Sequence, residues 1–133
     1  MSGASTTVGG TDMPSAEVTV GDDRLRVWVA DDPDERGQGL RQVERLPAGI
    51  DGMLFAFPEP STPSFVMLGA LIPLDIWFFD MDGRMVGSAV MEPCAEEPCP
   101  RYAPTVEIVW ALETPSAVRN YQRGDVLTTS ASG

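Results

Sequence analysis

The chain is predicted to fold as one mainly β domain, a compact β-sandwich or barrel-like structure with one or two short helices. Three observations predict it. Apolar residues recur with a period of two, as where Leu25, Val27 and Val29 alternate with Arg26, Trp28 and Ala30. Thirteen glycines and twelve prolines cut the 133 residues into short segments. An Asp82-Gly83 pair follows the apolar run Ile76-Trp77-Phe78-Phe79, the mark of a tight hairpin. A chain of this length is one domain with room for a real core.

Residues 1–14 are rich in Gly, Ser and Thr, lack a hydrophobic period and read as a flexible tether. The domain then occupies 15–129, and 130–133 read as a disordered tail. Residues 17–20 and 25–30 are predicted strands around a Gly21-Asp22-Asp23 turn. Asp32-Pro33-Asp34-Glu35 starts a helix: Asp32 caps it, Pro33 suits its first position and Glu35 has capping-box spacing. That helix is expected to reach about residue 41, with Gly37 and Gly39 making it dependent on packing. Residues 52–57 form a strand ended by Pro58-Glu59-Pro60, and 64–68 another. Residues 75–80 and 84–91 form the hairpin across Met81-Asp82-Gly83. A long strand over 103–112 puts Val106, Ile108, Trp110 and Leu112 on one face. Residues 115–121 are a short helix or turn with Thr114 as its cap, and 126–128 close the fold.

Composition excludes several functions. Twenty acids face nine basic residues, all Arg, for a net charge of −11. Such a surface repels phosphate backbones and anionic membrane faces, so no nucleic-acid partner is expected. There is no His and no Lys. That removes Ser-His-Asp and Cys-His nucleophiles, His-ligated metals and Schiff-base chemistry. No cofactor or metal is expected. No apolar run approaches the roughly eighteen residues of a membrane span, so no integral membrane segment is expected. The first residues also lack the basic start and apolar core of a signal peptide.

Carboxylates, thiols and aromatics remain for chemistry. Asp75 sits at the start of an apolar strand, either as an acid of raised pKa in a pocket or as a structural acceptor of backbone N–H groups. Glu113 follows Trp110-Ala111-Leu112 in a similar way. It would oppose Asp75 in a glycosidase-like pair, or else neutralise an Arg such as Arg36 or Arg101. Cys94 and Cys99 are the only cysteines; without His they complete no zinc site, and their spacing is too wide for Cys-x-x-Cys. A disulfide stapling the Pro-rich loop is expected, worth about 2 kcal/mol in the chain-entropy model. Asp80-Met81-Asp82-Gly83 begins like a calcium loop, but Arg84 stands where an oxygen ligand belongs, so a turn is expected. The acids Asp31, Asp32, Asp34 and Glu35 read as a helix start. Trp28 and Trp77 are out of phase with their apolar neighbours and are candidates for stacking on sugar rings.

The ordered markers Asp34-Glu35-Arg36 with Gly39-Leu40, Gly52-Met53-Leu54-Phe55 with Phe57, Phe65 with Met67, and Ile72-Pro73-Leu74-Asp75-Ile76 with Phe78 resemble a known family. So do Asp82-Gly83, Pro93-Cys94, Cys99-Pro100 with Tyr102, Leu112-Glu113 and Gly124-Asp125-Val126. Over residues 27–126 the chain is similar to the bacterial and archaeal domain of unknown function 192. The resemblance implies a compact, mainly β domain, often exported behind a signal or lipoprotein tether, with no established activity. After the Met of its Phe-x-Met element that family usually carries a polar Lys-Asn-Thr run; here Leu68-Gly69-Ala70 stand there, which puts any role of that run in doubt.

The sequence therefore reads as an exported or cell-envelope domain that binds a small polar, carbohydrate-like ligand or a protein partner. Trp28, Met67, Asp75, Trp77 and Tyr102 are the candidate contacts. The alternatives are a carboxylate-based hydrolase using Asp75 and Glu113, and a structural accessory domain without a ligand. The expected location is extracytoplasmic, in keeping with a disulfide.

Overall fold

The computed structural model describes residues 6–8 and 11–129. Residues 1–5, 9 and 10 of the expected tether, and the tail 130–133, lie outside the described residues. Within the tether stretch, Thr6–Val8 (β1) pairs antiparallel with Thr11–Met13 (β2). The domain is mainly β, as the sequence predicts. Its strands are β3 (Ser15–Val20), β4 (Asp23–Ala30), β5 (Gly52–Ser61), β6 (Phe65–Val66), β7 (Leu74–Phe79), β8 (Met85–Met91), β9 (Arg101–Tyr102), β10 (Ile108–Pro115) and β11 (Leu127–Thr129). Seven form one sheet in the order β11-β3-β4-β5-β10-β7-β8; β6 and β9 make a small second sheet. All neighbours in the large sheet are antiparallel except β4 and β5. That parallel pair needs a crossover, which the segment from Asp31 to Asp51 provides.

The large sheet curls until its two end strands meet at one corner. Arg84 bridges Val126, Leu127 N–H donates to Gly83 C=O at 2.7 Å and Met85 N–H donates to Asp125 C=O at 2.8 Å. Gly83 is required there: its φ is +81°, and a Cβ would press on the Leu127 carbonyl. The concave face buries Val18, Val20, Leu25, Val27, Leu54, Leu112, Trp77 and Phe79. The convex face carries Trp28, Met53, Phe55, Ile76, Phe78, Met91 and Ala111, covered by Leu40, Met67 and the loops that hold them. Alternation puts the two rows on opposite faces of the same strands. Trp28 and Trp77, the candidates for stacking on sugar rings, are both buried, Trp28 in this outer layer and Trp77 in the inner one.

Several elements differ from expectation. The helix, α1 (Pro33–Gln38), has the predicted start: the Asp32 carboxylate accepts the Glu35 N–H at 2.8 Å, and Glu35 reaches back to the Asp31 N–H at 3.1 Å. It ends earlier, because Gly39 at φ +51° turns the chain away beneath Phe55. β5 runs on through Pro58-Glu59-Pro60, where its pairing with β10 is interrupted. β10 begins at Ile108 and continues past Leu112 to Pro115. A register shift between Ile108 and Trp110 sends them to opposite layers, and Val106 is exposed outside the strand, so the single face predicted for Val106, Ile108, Trp110 and Leu112 is split. Thr114 is a strand residue rather than a cap, and the segment after Pro115 is a turn.

Candidate functional site

The turn after β10 crosses one end of the curled sheet, and its side chains bind the polar groups found there. Asp75, second residue of β7, is 7% exposed. Its Oδ2 accepts the Ala117 N–H at 3.0 Å and its Oδ1 accepts from the Ser116 hydroxyl at 3.4 Å. Ala117 stands at φ +67°, so the carboxylate holds a backbone turn that its sequence alone disfavours. Trp77 donates through Nε1 to Thr114 Oγ1 at 3.2 Å and meets Tyr121 edge-on, ring centres 4.8 Å apart. The Tyr121 hydroxyl donates to Asp23 Oδ2 at 2.6 Å. The same oxygen pairs with Arg119, whose other nitrogen lies 3.2 Å from Asp51. Asp51 in turn accepts the Arg26 N–H.

Burial and the Asp23 bond push the Tyr121 hydroxyl far above its usual range, so no phenolate forms there. Burial alone would raise Asp23, but the bonds from Tyr121 and Arg119 outweigh it and hold the carboxyl low. These groups satisfy one another, and the arrangement braces the end of the sheet. Sequence reasoning singled out none of Asp23, Asp51, Arg119 and Tyr121 for it; Asp23 lies 96 and 98 residues from its partners, and no local pattern links them.

The convex layer differs. Trp28, Met53 and Glu113 are register partners on β4, β5 and β10, and Ile76 on β7 continues the row. All four therefore share one face, with Trp28 and Glu113 two strand spacings, or about 10 Å, apart at the backbone. Trp28 is 2% and Glu113 5% exposed. The Trp28 Nε1–H is buried and has no hydrogen-bond partner. Among the described residues nothing donates to the Glu113 carboxyl and no ion pair reaches it. Burial pushes this acid up to about 8, so it is protonated at neutral pH. The Arg partners expected for Glu113 are engaged elsewhere: Arg36 donates to the Ala56 carbonyl and lies over the Phe57 ring, and Arg101 reaches Ser64.

Asp75 and Glu113 do not face each other. Thr114 opposes Asp75 and Glu113 opposes Ile76, so the two acids project from opposite faces of the sheet. Of the five candidate contacts, Trp28, Met67 and Tyr102 lie in the convex layer with Glu113, and Asp75 and Trp77 do not.

Cys94 and Cys99 form the expected disulfide. Cys94 is tied to the strap that carries Met67: its N–H donates to Met67 C=O at 3.1 Å, and its C=O accepts the Gly69 N–H at 3.2 Å. Leu68 and the disulfide loop enclose a groove of about 450 Å³, with Val66, Pro98 and Cys99 as apolar walls and Glu97 and Arg101 at its rim. At the 80–84 turn, the Asp80 carboxylate accepts the Asp82 and Arg84 N–H groups, the work of a hairpin turn. Asp31, Asp32 and Glu35 bring carboxylate oxygens within 4.8 Å of one another, but two of the three accept backbone bonds at the helix start.

Two crystal structures are similar to this fold. One is a protein of unknown function from Novosphingobium aromaticivorans DSM 12444: 24% identity, TM-score 0.76, covering 92% of this chain and 89% of the other. The second, from Sinorhizobium meliloti 1021, is described as a "putative transcription regulator": 24% identity, TM-score 0.81, covering 92% of this chain and 98% of the other. At that identity the likeness concerns the fold. No curated protein matches the chain. The model of the uncharacterised family DUF192, "Uncharacterized ACR", matches residues 16–128, nearly the whole of the domain described above, and the chain belongs to that family.

Proposed function

We propose that this domain binds a small polar ligand in an extracytoplasmic compartment, with Trp28 and Glu113 as its polar contacts. The observation that carries the reading is the buried Trp28 Nε1–H without a partner, on the same row as a Glu113 carboxyl that no hydrogen bond or ion pair reaches among the described residues. Buried polar groups are almost always hydrogen-bonded, and leaving one unpaired costs about 1–3 kcal/mol. A hydroxyl-bearing ligand repairs both: one oxygen accepts from Trp28 Nε1, and another exchanges donor and acceptor roles with the protonated Glu113 carboxyl. A neutral, carbohydrate-like compound suits a chain of net charge −11 better than an anion does. Met67 and Tyr102, in the same layer, supply apolar surface.

The disulfide supports the compartment, since such bonds persist where thiols are oxidised. A hydrolase using Asp75 and Glu113 finds no support, because the pair has no common space. The regulator description stays with the Sinorhizobium protein, as twenty acids against nine Arg disfavour nucleic acid.

The test is a thermal-shift panel of neutral sugars, polyols and amino acids on wild type, Trp28→Phe and Glu113→Leu, which removes both the donor and the acceptor. A ligand that binds only the folded state raises the melting temperature. The expected result is a shift with a neutral hydroxylated compound that both variants lose. A shift that both variants keep would place the ligand elsewhere.

A further inference from the structure

β8 ends the large sheet and pairs with β7 on one side only. On its outer side the first residues are occupied: the Met85 backbone bonds to Gly124 and Asp125, and the Val86 carbonyl accepts from Arg123 Nη1. From Gly87 to Met91 no outward backbone bond is present among the described residues. This edge, Gly87-Ser88-Ala89-Val90-Met91, has no proline and no charge, and Val90 is 58% exposed. Edge strands of monomeric proteins are normally protected by one of those devices.

A groove of about 460 Å³ lies at its N-terminal end, against Met85–Ser88, with Ala103, Pro104 and Thr105 on the far wall and Tyr121 and Arg123 at the end near Val86. Residues 103–107 are irregular, so the far wall does not pair with β8. Arg123 is the one charged side chain lining the groove, and among the described residues it pairs with no carboxylate. On a surface with an excess of acids, this groove carries a cation and no acid.

We propose that this groove takes the C-terminal end of an extended partner peptide, added antiparallel to β8 with its terminal carboxylate on Arg123. Antiparallel addition sets the peptide C-terminus beside the N-terminal end of β8, where Arg123 stands. The outward-facing N–H and C=O groups among Gly87–Val90 supply main-chain bonds over roughly 13 Å, while Met91 is buried and closes the open stretch. The guanidinium has donors left after its bond to Val86 and forks a carboxylate. Small side chains at Gly87, Ser88 and Ala89 let a second backbone approach. This surface is separate from the Trp28–Glu113 row, and neither reading depends on the other.

The probe is an N-terminally fluorescein-labelled valine–threonine hexapeptide with a free carboxylate, followed by anisotropy, beside its C-terminally amidated twin. Expected are saturable binding, at least tenfold weakening by amidation and by Arg123→Gln, and slower amide exchange within Gly87–Val90 on binding. Ser88→Glu, at an exposed position that leaves the Arg123–Val86 bond intact, weakens binding of the free acid as well. Equal binding of the two peptides, no binding at millimolar peptide by protein of unchanged melting temperature, or a dimer paired through β8 in sedimentation would each overturn the proposal.

Discussion

Glu113 is the side chain whose environment departs furthest from its chemistry. Its carboxyl, pushed to about 8 by burial, binds a proton that the unfolded chain releases near 4.5. Below about pH 4.5 both states are protonated and the group has no effect. Between 4.5 and 8 the unfolded state holds fewer protons, so stability falls as pH rises, by up to about 1.4 kcal/mol per unit. Glu113→Gln keeps the shape and removes the titration. The variant should unfold at a higher urea midpoint than wild type at pH 8, with little difference at pH 4.5, in paired urea titrations. Asp75 differs in having partners for its oxygens. Asp75→Ala leaves the Ala117 N–H and the Ser116 hydroxyl without their acceptor, and should cost about 1–3 kcal/mol in the same assay. That Asp75 could accept backbone N–H groups was legible, because Pro73-Leu74 places it at a strand start. The isolation of Glu113 was not, because the expected Arg partners are a matter of which face and which loop, and local sequence encodes neither.

Among the elements, alternation made β3, β4, β7 and β8 readable to within a residue or two, and the Asp82-Gly83 turn set their hairpin. β5 and β10 resisted for a physical reason. Two prolines in β5 look like a stop, yet the strand continues because pairing with β10 is broken there and needs no N–H from them. The same irregularity moves Ile108 out of phase with Trp110, and a period-two reading of β10 fails across it. Close approach of these two strands makes Gly52 specific: a Cβ there would run into the Glu113 carbonyl oxygen and crowd Thr114. Gly52→Ala should destabilise by about 1–3 kcal/mol or prevent folding, measured by chemical denaturation. Gly49→Ala is not an equivalent control, since that residue sits at φ +89°; Gly37→Ala, with open space around it and in a helix, is, and should be neutral to slightly stabilising.

For the whole molecule, composition announced a mainly β domain, and the order of family markers announced the family. Neither announced that the sheet curls until β8 meets β11, nor that the curl divides the candidate residues between two layers. The proposed function rests on that division. It gathers Trp28, Met67, Tyr102 and Glu113 on the convex side, leaves Asp75 and Trp77 as concave-side structure, and separates the two acids that a hydrolase would need together. The most direct measurement is the indole N–H region of a 15N-correlated spectrum, where three tryptophans give three signals, with Trp28 assigned through Trp28→Phe. With a neutral sugar or polyol that shifts the melting temperature, the account predicts that the Trp28 signal moves while that of Trp77, bonded to Thr114, holds. It also predicts that the Trp28 signal follows the Glu113 titration near pH 8 and ceases to do so in Glu113→Gln. A Trp28 signal indifferent to every bound ligand and to pH would contradict the account.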